Sequence, residues 1–182
     1  MILWLLIGLI VLVAFISFFY YNRFVILGNR VENSLSQIDV QLKRRADLIP
    51  NLIESVKGYT KHETAAIKAV TEARKALVGA KGIEAKVKAD GKLESALKTI
   101  FALAENYPLL KANENFLELQ RELSATEDKI AYSRQYYNDS ILTYNNLCKT
   151  YPGKFFAGIY GKNEKEYLKI SQSDKEAVNV KF

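Results

Sequence analysis

Uncharged and mostly apolar side chains occupy the positions directly after Met1. Residues 2–21 read ILWLLIGLIVLVAFISFFYY and contain no charged side chain. At about 1.5 Å per residue, a helix of this length spans about 30 Å, the thickness of the hydrocarbon core of a bilayer. Aromatic residues gather toward the ends of the run, as they do at membrane interfaces. The pattern predicts a transmembrane helix over residues 2–21.

Two other interpretations of this run fit less well. A secretory signal peptide has a basic start, a shorter apolar core and a small-residue cleavage site. No Lys or Arg precedes this run, and bulky aromatic residues follow it. A buried helix of a globular core normally carries a polar residue on some face within this length. Positive side chains follow the run at Arg23, Arg30 and 43–45, and such residues stay on the cytoplasmic side. We therefore expect the N-terminus outside and the following domain in the cytoplasm.

After the run, apolar positions recur in steps of three and four, which predicts a long amphipathic helix that continues from the span. Its stripe consists of Val31, Leu35, Ile38, Leu42, Ala46, Ile49, Ile53 and Val56. Pro50 lies within this stripe. Because proline lacks an N–H and clashes with the carbonyl four residues earlier, we expect a kink near residues 46–49, and a complete break is left open.

Three further helical stretches follow, separated by Gly and Pro. Residues 63–78 are rich in strong helix formers, and 79–82 end that helix. Residues 82–92 are charged and poor in large apolar side chains, so we expect a connecting segment that is partly helical at best. A helix is predicted over 93–106, which Pro108 stops, and a long helix over 112–149. The apolar stripe of the long helix is Phe116, Leu119, Leu123, Thr126, Ile130, Tyr137, Ile141, Tyr144 and Cys148.

A short apolar segment follows Pro152 and predicts one more helix or a cap on the bundle. It contains Phe155, Phe156, Ile159, Tyr160, Tyr167 and Leu168. No alternating strand pattern of useful length occurs. The predicted fold is all-α, an N-terminal transmembrane helix followed by an antiparallel bundle of long helices. The predicted division is an anchor over 1–21, a bundle over 22–170 and a polar tail over 171–182.

Composition agrees with a folded domain. Hydrophobic residues make up 49% of the 182 residues, and only three prolines occur. The net charge of +6 is spread thinly along the chain, whereas a nucleic-acid footprint concentrates positive charge on one element. We therefore expect no nucleic-acid partner. Cys148 is the single cysteine, so no intramolecular disulfide can form.

Candidate catalytic groups are few. His62 stands between Lys61 and Glu63 on a presumed helix surface, and Cys148 lies on an apolar stripe where a buried, inert thiol is expected. Glu118, Glu122, Glu127 and Asp128 crowd the long helix, which favours a solvated acidic face over an ion site. No phosphate loop or zinc-protease motif occurs. We expect no catalytic residue, no metal, no cofactor and no enzymatic activity.

Candidate interaction residues are Arg44, Arg45, Arg134, Tyr137 and Tyr144. The 43–45 cluster begins more than twenty residues beyond the span, about 35 Å along a straight helix, which is several Debye lengths from lipid. Ion pairing inside the bundle is therefore preferred, with Arg45 and Arg134 forming a polar layer. Tyrosines recur at 137, 144 and 151, which favours core packing over a partner-binding surface.

Several blocks of the sequence resemble the LemA family. They are NSLSQIDVQLKRRADLIPNL at 33–52, VKGY at 56–59, HE at 62–63, AR at 73–74, YPLLKANENF at 107–116, LQREL at 119–123, TEDKIA at 126–131, Arg134, YN at 137–138 and 144–145, and YP at 151–152. Asp128 stands where the family pattern leads us to expect Asn. The resemblance implies an N-terminal membrane anchor and a cytoplasmic helical bundle. It does not supply an active site, because the biochemical role of the family is unknown.

Three functions follow as hypotheses. One of them, bilayer remodelling by surface-lying helices, predicts that the domain binds liposomes without its span. The preferred one is a membrane-anchored interaction or scaffolding protein that binds the bilayer through residues 2–21 and binds a protein partner, with homo-oligomerisation left open. Anchoring raises the local concentration of a partner and needs no chemistry. The alternative is an ion-binding or enzymatic site formed by carboxylates and arginines in a bundle cleft, which requires acids converging in a concave pocket.

Overall fold

The computed structural model describes residues 1–60 and 63–168 and contains only helices there. In chain order they are α1 (Ile2–Lys57), α2 (Thr64–Gly79), α3 (Ile83–Ala104), α4 (Pro108–Lys111), α5 (Glu114–Lys149) and α6 (Gly153–Ile159). This confirms the predicted all-α class, a long apolar N-terminal helix followed by a helical bundle. The predicted tail, 171–182, and His62 lie outside the described residues.

Helix α1 runs without a break from the apolar segment through Pro50. Pro50 has no N–H to give to the carbonyl of Ala46, the oxygen that a helix would normally satisfy at that position. That oxygen instead accepts a hydrogen bond from Nε of Arg74 on α2, at 2.7 Å. Helix α1 is therefore not broken at Pro50, and a side chain of another helix supplies the donor that proline lacks.

The described residues form two compact units, and α1 and α5 contribute to both. The first unit contains Met1–Ser36 and Arg134–Leu168. Its core is Phe24, Leu27 and Val31 of α1, with the buried stripe of α5 and the apolar side of α6. Phe24 meets Tyr144 edge to face, with ring centroids 6.0 Å apart, so α1 packs on the last turns of α5 here.

The second unit, within Gln37–Ser133, contains α2, α3 and α4 together with the adjoining parts of α1 and α5. Tyr59 accepts a hydrogen bond from Asn113, while Arg45, earlier on α1, bonds Glu127, later on α5, so the two helices run antiparallel. The core of this unit consists of Ile38, Leu42, Ala46, Ile49, Leu52, Val56, Val70, Ala73, Leu77, Leu93, Leu97, Ile100, Leu110, Phe116, Leu123 and Ile130.

The prediction that residues 82–92 are a connecting segment is wrong, since α3 begins at Ile83. The segment was read as a connection because it lacks large apolar side chains. In the structure it needs none, because its buried positions are Ala89 and Asp90, and Asp90 pairs with a buried arginine. A helix that buries Ala and Asp against a charged partner shows no stripe of large apolar residues in its sequence, so periodicity does not reveal it.

Other differences in the predicted core are local. On α1, Ser34 and Leu52 are buried where Leu35 and Ile53 were expected, and both of the latter are half-buried. The long helix begins at Glu114, after the separate short helix α4. Tyr151 was expected in the core with the other periodic tyrosines but is 79% exposed, because α5 has ended at Lys149. Phe155 and Ile159 are also exposed.

Candidate functional site

A buried arginine forms the centre of the second unit. Arg45 is 2% exposed, and its Nη1 donates to Oδ1 of Asp90 on α3 at 3.0 Å. Its Nη2 donates to Oε2 of Glu127 on α5 at 3.2 Å. One guanidinium thus bonds carboxylates from two other helices, which confirms the expected pairing of Arg45 with an acid of the long helix.

The two carboxylates differ in their surroundings. Asp90 is as deeply buried as Arg45, whereas the side chain of Glu127 is 49% exposed. Burying an ion pair costs desolvation energy that its attraction only partly offsets, so such pairs stabilise less than their geometry suggests. Removing one partner is far more costly, because it leaves a charge buried. The cluster connects α1, α3 and α5 through one guanidinium.

The space beside this cluster is small. A cleft of about 170 Å³ is lined by Arg45, Glu127 and neighbouring side chains of α3 and α5. Sites that enclose an organic ligand usually measure about 300–1,000 Å³. Two other acids of α5, Glu118 and Glu122, lie away from this cleft and line a separate open groove with Asn51 and Ser55 of α1. Residues 1–60 and 63–168 contain no group of three His, Cys, Asp or Glu side chains placed to hold a metal ion.

The other predicted interaction residues are dispersed. Arg44 is exposed on α1, beside the exposed ion pair of Lys43 with Asp47. Arg134 is half-buried on α5 and belongs to the first unit, whereas Arg45 belongs to the second. The structure therefore places Arg45 in a charged layer with Asp90, and Asp90 was not among the predicted site residues.

Tyr137 and Tyr144 are buried on α5, as core packing predicted. Burial raises the pKa of both phenols above the ordinary value of 10.0. Cys148, one turn after Tyr144, is also buried, and burial raises the pKa of its thiol. Glu164 raises that pKa further, while Tyr144 and Lys165 act in the opposite direction. This environment keeps the thiol protonated at neutral pH and agrees with the expected inert cysteine.

Two asparagines on α5 hold the chain that follows α6. Asn145 donates from Nδ2 to the carbonyl oxygen of Lys165 at 2.8 Å, and its Oδ1 accepts from the amide of Lys165 at 2.9 Å. Asn138 repeats the arrangement with Leu168, at 3.2 and 3.0 Å. Each side-chain amide pairs with a backbone N–H and C=O, as a neighbouring strand would. The sequence carried a signal for this pair, since Tyr-Asn occurs at 137–138 and again at 144–145, seven residues later on the same predicted helix.

An aromatic cluster joins α6 to α1 at the end of the apolar run. The rings of Tyr20 and Phe156 stack with centroids 4.8 Å apart. Tyr160 meets Tyr21 and Phe24 edge to face, and its hydroxyl donates to the carbonyl oxygen of Ser17 at 2.7 Å. The short apolar segment after Pro152 is therefore a helix that packs against α1.

Comparisons with known proteins find related sequences. The sequence model of the LemA family matches residues 34–182. A protein named magnetosome protein MamQ from Magnetospirillum gryphiswaldense is 28% identical over 190 aligned residues, covering 89% of this chain and 70% of the relative. Magnetosome protein MamQ 2 from Paramagnetospirillum magneticum is 25% identical over the same shares. A protein named LemA from Metamycoplasma hominis is 28% identical over 128 aligned residues, and the alignment covers 68% of this chain and 57% of the relative.

Proposed function

The chain belongs to the LemA family, and from that premise we propose that it is a single-pass membrane protein whose helical bundle binds a protein partner at the membrane. The proposed role is that of a scaffold, with no reaction of its own. The division proposed with it is an anchor over 1–21, a bundle over 22–170 and a tail over 171–182. Self-association of the chain is one form that the partnership could take.

The exposure of the apolar start of α1 is the observation that carries this proposal. Ile2, Trp4, Ile10 and Phe15 are each at least 68% exposed, in a run without charge. Among the described residues, α1 is the one helix long and apolar enough to cross a membrane, and none of its most apolar 18-residue window is buried. A core helix of a soluble domain would hide such a surface, so a bilayer is the environment that this surface favours.

The orientation proposed is an external N-terminus and a cytoplasmic bundle. Arg23 and Arg30 follow the apolar run closely, and both are exposed. Loops that carry an excess of Lys and Arg near a span are retained in the cytoplasm. The reduced state expected there suits the single buried thiol of Cys148.

The residues proposed for interaction differ in exposure, so they are proposed to have different roles. Arg44 is exposed and is the candidate for direct contact with a partner. Arg45, Tyr137 and Tyr144 are buried, so their part is to hold the helices that present the surface. Arg134, which is half-buried, is placed with the supporting residues.

The scattered acids of α5 and the small cleft beside Arg45 argue against the alternative of a bundle-cleft enzyme or ion site. The relatives MamQ and MamQ 2 are named as magnetosome proteins, and their names state no reaction.

Cysteine labelling in intact cells tests the anchor and its orientation. Cys148 is replaced by Ala, and Arg44→Cys introduces one exposed thiol. Carbonate extraction should leave the full-length protein in the membrane fraction, and a membrane-impermeant maleimide should label position 44 only after the cells are permeabilised. Release by carbonate would overturn the anchor. Labelling in intact cells would overturn the orientation.

Crosslinking beside the exposed arginine tests partner binding. A photocrosslinking amino acid at Val40, an exposed position four residues before Arg44 on the same helix face, should capture one specific protein from detergent-solubilised membranes. Adding Arg44→Ala to that protein should lower the capture by about tenfold. Lys75→Ala on α2 is the matched control at another exposed cation, and it should leave recovery unchanged. Capture of nothing beyond abundant contaminants would contradict the scaffold role.

A further inference from the structure

Helix α6 has two apolar faces, and only one of them packs on the protein. Phe156 and Tyr160, four residues apart, lie against Tyr20 and Phe24 of α1. Phe155 and Ile159, also four residues apart, form the neighbouring face, and they remain 60% and 58% exposed. Side chains four apart share one face of a helix, so each pair forms a continuous surface.

The Tyr160 hydroxyl sets the depth of α6 relative to the apolar run. It donates to the carbonyl oxygen of Ser17 and lies 2.5 Å from the Ser17 hydroxyl, so the polar groups satisfy one another. Ser17 comes four residues before Tyr21, or about 6 Å along the helix. The end of α6 is thus level with the last turn of the run assigned to the bilayer.

The exposed face of α6 continues the exposed surface of α1 at the same level. Phe18, Phe19 and Tyr21 are 67%, 55% and 48% exposed. The rings of Phe155 and Phe156 lie 5.4 Å apart, and Phe156 stacks on Tyr20, which connects the two helices through aromatic contacts. An apolar patch that extends a lipid-facing surface is covered most simply by the same lipid.

Charge around α6 favours the same occupant. Lys154 lies in the first turn of α6 and Lys162 follows the helix, and residues 150–163 contain no acidic side chain. Lysine extends its ammonium group to the interface while its stem covers apolar surface, and it attracts anionic headgroups. Aromatic residues with flanking lysines are the composition of helices that lie in the bilayer interface, with their apolar face about 5–10 Å deep.

We propose that α6 lies in the interfacial region of the bilayer, with Phe155 and Ile159 in contact with phospholipid. The inference rests on the proposed membrane span. It adds a second attachment, made by a distant part of the sequence, that packs on the exit of the anchor. The attachment fixes the rotation and tilt with which α1 leaves the membrane, since a single helix alone would leave both unconstrained.

Fluorescence quenching by brominated phosphatidylcholine in vesicles tests this placement. Trp4 is the only tryptophan, so the full chain reports on the span directly. A second protein carries Trp4→Phe and Phe155→Trp. The matched control carries Trp4→Phe and Gln135→Trp, an exposed site on α5 nine residues before Tyr144, or about 14 Å along the helix. Ile159→Trp in the Trp4→Phe background provides a second reporter on α6.

Bromine near the headgroup end of the acyl chain should quench the α6 reporters at least about threefold more than the control, with blue-shifted emission, as an interfacial helix requires. Equal weak quenching of the α6 and α5 reporters, while Trp4 is quenched strongly, would overturn the interfacial helix and leave the span intact. Unquenched Trp4 would overturn the span itself. Blue-shifted α6 reporters that resist both bromolipid and acrylamide would show a protein cover, which also overturns the proposal.

Discussion

Arg74 donates from Nε to the carbonyl oxygen of Ala46, which is the oxygen that Pro50 leaves without a helical donor. A proline inside a helix costs about 3 kcal/mol or more, partly through that lost bond. Here a side chain from α2 takes the place of the missing amide, so one bond both preserves α1 and fastens α2 to it. The pairing makes Arg74 and Pro50 energetically dependent on each other.

This dependence can be measured with a double-mutant cycle. Arg74→Met should destabilise the full chain in detergent by about 1–3 kcal/mol, because a buried acceptor loses its donor. In a Pro50→Ala background, where residue 50 regains its N–H, the same change should cost clearly less. Thermal unfolding followed by circular dichroism gives both values. Lys75→Met, at an exposed neighbour, should stay within about 0.5 kcal/mol. Equal losses in the two backgrounds would show that Arg74 acts elsewhere.

The buried arginine predicts an asymmetric response among its partners. Arg45→Ala should destabilise the protein by about 3–5 kcal/mol, because it removes the counter-charge of a buried carboxylate. Glu127→Gln should cost less than about 1 kcal/mol, since Glu127 is half exposed to solvent. Lys43→Ala, which breaks an exposed pair two residues away, serves as the control. An Arg45→Ala protein that melts at the wild-type temperature would contradict the central role of the cluster.

Two glycines of α6 provide a matched pair. A Cβ on Gly153 would overlap the carbonyl oxygen of Leu147, whereas a Cβ on Gly158 would meet nothing within 4 Å. Gly153→Ala should therefore destabilise the first unit by about 1–3 kcal/mol through overpacking. Gly158→Ala should be neutral or stabilising by up to about 1 kcal/mol, because alanine is the better helix former. Unfolding in detergent measures both, and the reverse order would refute the close approach.

Asn145 should control the order of the segment after α6. Asn145→Ala removes both bonds to Lys165, at about 1 kcal/mol each, so amide exchange in residues 162–168 should quicken by about tenfold or more. Hydrogen exchange with mass spectrometry reads this segment directly. Asn146→Ala replaces the exposed neighbour and should leave exchange unchanged. Unchanged protection in the Asn145→Ala protein would mean that other contacts hold the segment.

The raised pKa of the Cys148 thiol predicts how its alkylation rate and the stability of the fold depend on pH. Burial holds the pKa of its thiol above the ordinary value of 9.0, so alkylation by iodoacetamide at pH 8 should be at least about tenfold slower than in the guanidinium-unfolded chain. Because the folded pKa is raised, the stability linked to this thiol is complete below the unfolded pKa and is lost as pH rises through the folded value. A reaction rate that levels off below pH 8 would indicate an activated thiolate instead.

Much of the architecture could be predicted from local pattern. The uncharged run at 2–21, the three- and four-residue spacing from Val31 to Val56, and the stops at Pro108 and Pro152 are read directly from the chain. Each depends on a short-range effect: the rise of a helix, the period of its faces, or the backbone limits that proline imposes. Arg45 could be chosen as well, because a charge beside an apolar stripe needs a partner inside the bundle.

Only the tertiary structure decided which distant polar groups meet. Asp90 is buried on α3 within a segment whose sequence resembled a linker, and Arg74 bonds the α1 carbonyl that Pro50 leaves without a donor. A hydrogen bond requires its two atoms to lie within about 3 Å of each other, and that proximity arises from helix packing. Such pairs produce no periodic pattern in the sequence, because a single contact between two remote positions does not repeat along the chain.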